Sequence, residues 1–159
     1  MLKLNEQVYD AIRHHGEETY PYECCGVLLG RSISSDDSAH GLQGVNDVED
    51  AVRAGNTRTD SARNRYQIAP QELIRIQRQC RERGLDIVGF YHSHPDHPAR
   101  WSKTDFAEAH WLGCSYVITA VDDGIAQATN SFLLTGTGED DKAFEDEAVV
   151  VAALEAERC

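Results

Sequence analysis

Residues 85–95 read Leu-Asp-Ile-Val-Gly-Phe-Tyr-His-Ser-His-Pro. The run is rich in β-branched and aromatic residues. It predicts a strand from Leu85 to Ser93, which Pro95 and Pro98 bring to an end. On a strand, residues two apart point to the same face. His92 and His94 therefore project side by side, and Ser93 points away from them. Two imidazoles so placed can share one divalent ion at about 2.0–2.1 Å each. Six residues follow Pro95, and then comes Ser102-Lys103-Thr104-Asp105. Ser102 starts the next helix, so Asp105 arrives in its first turn. A loop of that length can return its carboxylate as a third ligand. Two His and one carboxylate suit zinc and leave the fourth position for water, as catalysis requires.

Each half of this pattern also has a plainer reading. Ser102-x-x-Asp105 is a capping box, with Ser at the N-cap and an acid three residues on. A His pair on a strand is commonly a pair of hydrogen-bonded, half-buried side chains. The two halves standing in register favour metal, and capping by Ser102 does not exclude a second role. Its hydroxyl can donate to a developing oxyanion.

Outward from this stretch, Pro70 to Arg83 predicts a helix. Pro suits its first turn, Gly84 the position past its end, and Arg78, Arg81 and Arg83 the negative end of its dipole. A second helix runs from Asn5 to Glu18, where Val8, Ala11, Ile12 and His15 share one face. A third runs from Ser102 to about Leu112. Cys24 to Gly30 (Cys-Cys-Gly-Val-Leu-Leu-Gly) reads as a buried strand. Ser115 to Val121 and Ile125 to Thr135 read as strands joined at Asp122-Asp123-Gly124. Arg65 to Ile68 is expected to be a short strand. Residues 31–64 are expected to be a flexible surface loop, with strand-like material only near Gly41 to Val48. The chain from residue 136 is expected to be an acidic, loose tail, with Ala148 to Ala152 either a strand or part of a helix. Strands alternating with helices give an α/β (α+β) sandwich: a mixed sheet with helices packed on it.

The 159 residues fit one domain, 1–159. Fifteen basic against 27 acidic side chains leave a net charge of −12. That argues against nucleic acid, whose phosphates need Lys and Arg, and against an anionic membrane surface. The longest clean apolar run, Ala148 to Leu154, is too short to span a bilayer. The residues after Met1 lack the apolar stretch of a secretory signal. Five cysteines, an odd number with no Cys-x-x-Cys pair, indicate neither a disulfide framework nor a thiolate zinc knuckle. A reducing cytoplasm is the expected compartment. Cys24 and Cys25 are expected to be buried packing. His97 is expected to be substrate-facing or exposed, not a fourth ligand.

With Pro21-x-Glu23-Cys24-Cys25-Gly26-Val27-Leu28-Leu29-Gly30 upstream, the string His92-x-His94-Pro95-x6-Ser102-x-x-Asp105 resembles the JAMM (MPN-plus) metalloprotease family. The resemblance spans about residues 5–135. It is strongest to the small stand-alone bacterial members, which Arg65-Tyr66-Gln67-Ile68 and Ser131-Phe132-Leu133-Leu134 also resemble. It implies a cytidine-deaminase-like sandwich and one Zn2+ per chain on His92, His94 and Asp105. It implies Glu23 as general acid/base and Ser102 as oxyanion stabiliser. The nucleophile is then zinc-bound water. The implied substrate is a peptide or isopeptide bond at the C-terminal tail of a ubiquitin-like sulfur-carrier protein. The alternative is a catalytically silent protein-binding module of the same fold. A zinc nucleobase deaminase is disfavoured, because its His-x-Glu and Pro-Cys-x-x-Cys signature is absent. Trp101, beside Ser102, departs from the small residue or Pro of many relatives and bears on substrate preference. Nothing in the sequence speaks to oligomeric state.

Overall fold

The computed structural model describes residues 1–33, 44–57 and 66–154. In chain order they form β1 (Leu2–Asn5), α1 (Glu6–Thr19), β2 (Cys25–Ile33), β3 (Val45–Ala54), α2 (Pro70–Glu82), β4 (Asp86–Pro95), α3 (Lys103–Glu108), β5 (Ser115–Asp122), β6 (Ile125–Thr135), β7 (Ala143–Glu147) and β8 (Val149–Ala152). The strands make one mixed sheet in the order β7-β6-β5-β4-β2-β3-β1-β8. β4 runs parallel to β5 and antiparallel to β2, so it lies inside the sheet with both backbone edges paired.

The alternation along β2 and β4 sorts the core into two layers. Leu28 and Tyr91 pack with Val8 and Ile12 of α1 on one side. Val27, Leu29 and Phe90 pack with Ile76 and Cys80 of α2 on the other. Continuing the alternation from Phe90 sends His92 and His94 to the α2 side and Ser93 to the α1 side. The Ser93 hydroxyl there accepts the Cys24 N–H at 2.9 Å. Cys24 and Cys25 are both buried, as packing residues should be.

The helix ends follow ordinary capping chemistry. Asn5 Oδ1 accepts the Val8 N–H at 2.8 Å and starts α1. Pro70 opens α2, and Gly84, in the left-handed region at φ +66°, closes it.

Several elements depart from the sequence reading. Leu2–Asn5 is a strand with Leu2 and Leu4 buried; its alternation is only four residues long, and it precedes the expected helix directly. Within the expected loop of residues 31–64, β3 is a ten-residue strand paired along β2 and, at its start, with β1. Its burial is partial along most of its length, so its hydrophobic pattern is faint. Residues 41–43 of the expected strand, residue 65 and Cys159 lie outside the described residues. Tyr66 to Ile68 form no strand, although Thr57 N–H donates to the Gln67 carbonyl at 2.9 Å.

The acidic tail is also structured. β7 pairs antiparallel with β6, and β8 pairs parallel with β1. These are the two ends of the strand order, yet only Ala148 separates them. The sheet is therefore rolled until its edges meet at Ala148, whose carbonyl accepts the Leu2 N–H at 2.9 Å. No helix among the described residues is long and apolar enough to cross a membrane.

Candidate metal centre and active site

The end of β4 carries His92 and His94 to one side, as the strand period requires, with 2% and 8% exposure. Their Nε2 atoms lie 3.0 Å apart. Asp105, in the first turn of α3, completes the group. Its Oδ1 is 3.3 Å from His92 Nε2 and its Oδ2 is 3.2 Å from His94 Nε2. Donors about 2.0–2.1 Å from a tetrahedral ion stand about 3.3–3.4 Å from one another, so the three spacings suit a single small cation.

Hydrogen bonding points the same way. His94 Nδ1 is 2.9 Å from the Pro98 carbonyl, which can only accept, so Nδ1 carries the proton. Nε2 of the neutral ring is then a bare lone pair. It faces another ring nitrogen and a carboxylate, a cluster of electron-rich atoms that only a shared proton or a cation holds together. Burial holds His92 below the usual histidine range. Burial acts the same way on His94, but hydrogen bonds to Asp105 and Pro98 outweigh it and raise its pKa. Burial works to raise the Asp105 carboxyl, yet hydrogen bonds from the two rings hold it far below the usual carboxylate range. Among the described residues these three form the group able to hold a metal ion.

Glu23 reaches the same place through sheet register. Cys25 of β2 pairs with His92, and Ser93 N–H donates to the Cys24 carbonyl at 3.2 Å. One step further along the antiparallel pair, Glu23 stands beside His94. Its side chain lines a cleft of about 420 Å³ together with His94, His97, Trp101 and Ser102. Glu23 is 3% exposed, and its Oε2 has no hydrogen-bond partner among the described residues. Burial pushes its carboxyl up to about 8; His94 opposes this, and Asp105 and Glu108 add to it. A carboxyl so placed can hold or release a proton near neutrality.

Ser102 is the N-cap of α3. Its Oγ accepts the Asp105 N–H at 3.0 Å, and Asp105 Oδ2 accepts the Ser102 N–H at 2.8 Å. This is a complete capping box. Accepting through Oγ leaves the hydroxyl proton of Ser102 available to the cleft. The capping and ligand readings of Ser102-x-x-Asp105 thus describe one arrangement. α3 itself ends at Glu108, four residues short of Leu112, where Lys142 Nζ takes the carbonyls of Phe106 and Ala109. His97 is exposed on the cleft rim, outside the ligand group.

Two neighbours of the site were given no role by the sequence reading. The Tyr66 ring stacks on His92, with centroids 4.5 Å apart and planes at 27°. It also borders a second groove, walled by Ile68, Leu73, Phe90, Trp111 and Tyr116. Asn56 ties this segment to Glu23: its Nδ2 donates to the Glu23 carbonyl at 3.3 Å, and its Oδ1 accepts the Gln67 N–H at 3.1 Å. Both residues sit in polar, turn-like sequence. For Tyr66 the only signal is the resemblance of Arg65-Tyr66-Gln67-Ile68 to the compact bacterial pattern; Asn56 has none.

Comparison with known proteins agrees with this geometry. The sequence profile of prokaryotic homologs of the JAB domain matches residues 5–134. The chain is 32% identical over 125 residues to a Haloferax volcanii protein named Desampylase, covering 76% of this chain and 81% of that one. A solution structure from Salinibacter ruber is similar at 39% identity and TM-score 0.67, covering 98% of this chain and 95% of the other. A solution structure from Desulfitobacterium hafniense is similar at 25% identity and TM-score 0.75, covering 96% and 94%.

Proposed function

The chain belongs to the family of prokaryotic JAB-domain homologs and is a hydrolase of that family; from this premise we propose that it is a zinc isopeptidase acting at the C-terminal tail of a ubiquitin-like protein, with sulfur-carrier proteins as the substrate class. The observation that carries the reading is the convergence of His92 Nε2, His94 Nε2 and an Asp105 carboxylate beside the buried Glu23. The relative named Desampylase supports a ubiquitin-like protein as the partner.

Zinc held by these donors supplies a Lewis acid that polarises a carbonyl and lowers the pKa of water from about 15.7 to about 7. The remaining work falls to the chain's own groups. Pro98 holds the His94 proton on Nδ1 and so keeps Nε2 free as a ligand. Tyr66 covers the face of His92 and limits the approach of bulk water to it. Glu23 takes the proton of the attacking water on Oε2. Once the water oxygen has bonded to the carbonyl carbon, the C–N bond breaks and Glu23 passes that proton to the departing amine nitrogen. The Ser102 Oγ–H donates a hydrogen bond to the oxyanion. The apolar groove bordered by Tyr66 and Trp111 suits an extended tail, in which backbone contacts give affinity without strict side-chain demands.

The test uses zinc-loaded protein and a ubiquitin-like sulfur carrier extended beyond its tail, with products read by mass spectrometry. Cleavage at the tail is expected, with a loss of about 10²–10⁴-fold in Glu23→Gln while zinc is retained. Normal turnover by that variant would show the proton carrier to be another group. No cleavage by the zinc-loaded wild type would favour a silent protein-binding module.

A further inference from the structure

We propose that Lys142 is a positioning residue for the metal centre: from the segment before β7 it fixes the short helix that presents Asp105. Lys142 lies beyond residue 134, where the match to the family profile ends.

α3 has only six residues and no buried side chain of its own. A helix so short has no intrinsic stability in water. It also lacks a glycine at its C-terminal end, where Ala109 takes an extended conformation. Its orientation must therefore come from contacts at its two ends. At the N-terminal end these are the Ser102 and Asp105 hydrogen bonds. At the C-terminal end they are made by Lys142.

The Lys142 side chain is 6% exposed. Its Nζ donates to the Ala109 carbonyl at 2.9 Å, the Phe106 carbonyl at 3.0 Å and the Ala107 carbonyl at 3.4 Å. These carbonyls stand where the helical ladder stops, the Phe106 carbonyl also taking the Ala109 N–H at 3.3 Å, and a cation there also meets the negative end of the dipole. The same ammonium lies 5.0 Å from the centroid of the Phe106 ring and 2.9 Å from Glu139 Oε2. Two residues on, Phe144 of β7 packs against Phe106 and Trp101, with centroids 5.6 and 5.5 Å away. Phe106 directly follows Asp105. A shift of α3 by a few tenths of an ångström would thus pass directly to the third ligand.

This inference rests on the metal-site reading, and the experiment separates the two. Zinc dissociation constants are measured against a chromophoric chelator for the wild type and Lys142→Met, with circular dichroism confirming that each is folded. The variant keeps an unbranched apolar side chain of similar length and loses the ammonium. Its dissociation constant is expected to rise about tenfold or more. With cobalt in place of zinc, the visible absorption of the variant is expected to change in intensity as Asp105 moves, which a merely structural lysine would not cause. Lys142→Gln retains an uncharged amide donor group and is expected to lose affinity to an intermediate degree; it serves if Lys142→Met does not fold. An unchanged constant and an unchanged cobalt spectrum in a folded variant would overturn the proposal alone. A wild type that binds neither metal would overturn the metal-site reading and this inference with it.

Discussion

Ser102 and Asp105 hold one another from both directions: the serine hydroxyl takes the aspartate N–H, and the aspartate carboxylate takes the serine N–H. The carboxylate that caps α3 is the one that meets His92 and His94. Ser102→Ala therefore has two separable effects. Loss of the cap should cost about 1 kcal/mol of stability. Loss of the oxyanion donor should lower kcat by roughly 10²–10³. Chemical denaturation reads the first and turnover of the zinc-loaded variant reads the second. A full kcat with reduced stability would leave the hydroxyl a cap only.

His15 and Tyr91 share a hydrogen bond of 2.8 Å beneath α1. Burial first, and Arg53 next, lower the His15 pKa from 6.5 to about 4, with Glu18 opposing. The folded state thus disfavours the charged ring. Between pH 6.5 and 4 the unfolded chain binds the proton more readily, so stability falls as pH falls through that window. The contribution is complete above the unfolded pKa and is lost as pH drops to the folded one. Urea titrations of wild type and His15→Gln at several pH values check this. A slope unchanged in the variant would assign the acid sensitivity to other groups.

Gly26 of β2 lies against the buried Tyr91 ring, and a Cβ there would stand 2.1 Å from Tyr91 Cε1. The ring has no room to retreat, since its hydroxyl is bonded to His15. Gly26→Ala should destabilise by about 2–3 kcal/mol through overpacking. Gly138→Ala, where nothing lies within 4 Å, should fall within about 0.5 kcal/mol of wild type. Equal midpoints for the two variants would mean that β2 and β4 adjust more freely than their packing implies.

What could be read from the sequence was what a strong period or a strong local signal encodes. The alternation Phe90, His92, His94 sets the two histidines on one face of β4, and Pro70 and Gly84 mark α2. β7 reads as solvated tail in the sequence because Ala-Phe-Glu-Asp-Glu carries one large apolar residue, and an edge strand tolerates a charged outer face. β3 owes its strand state to partners on both sides and not to its own pattern. Asn56 and Lys142 act through carbonyls that lie far away in sequence, and no residue-type pattern encodes such contacts.

The most direct measurement is the metal content of wild type and His94→Ala, purified side by side by gel filtration without chelator and given stoichiometric zinc. About one zinc per wild-type chain, lost in the variant, is expected from three converging donors. No zinc in either protein would contradict a metal centre at His92, His94 and Asp105, and with it the hydrolytic mechanism built on that site.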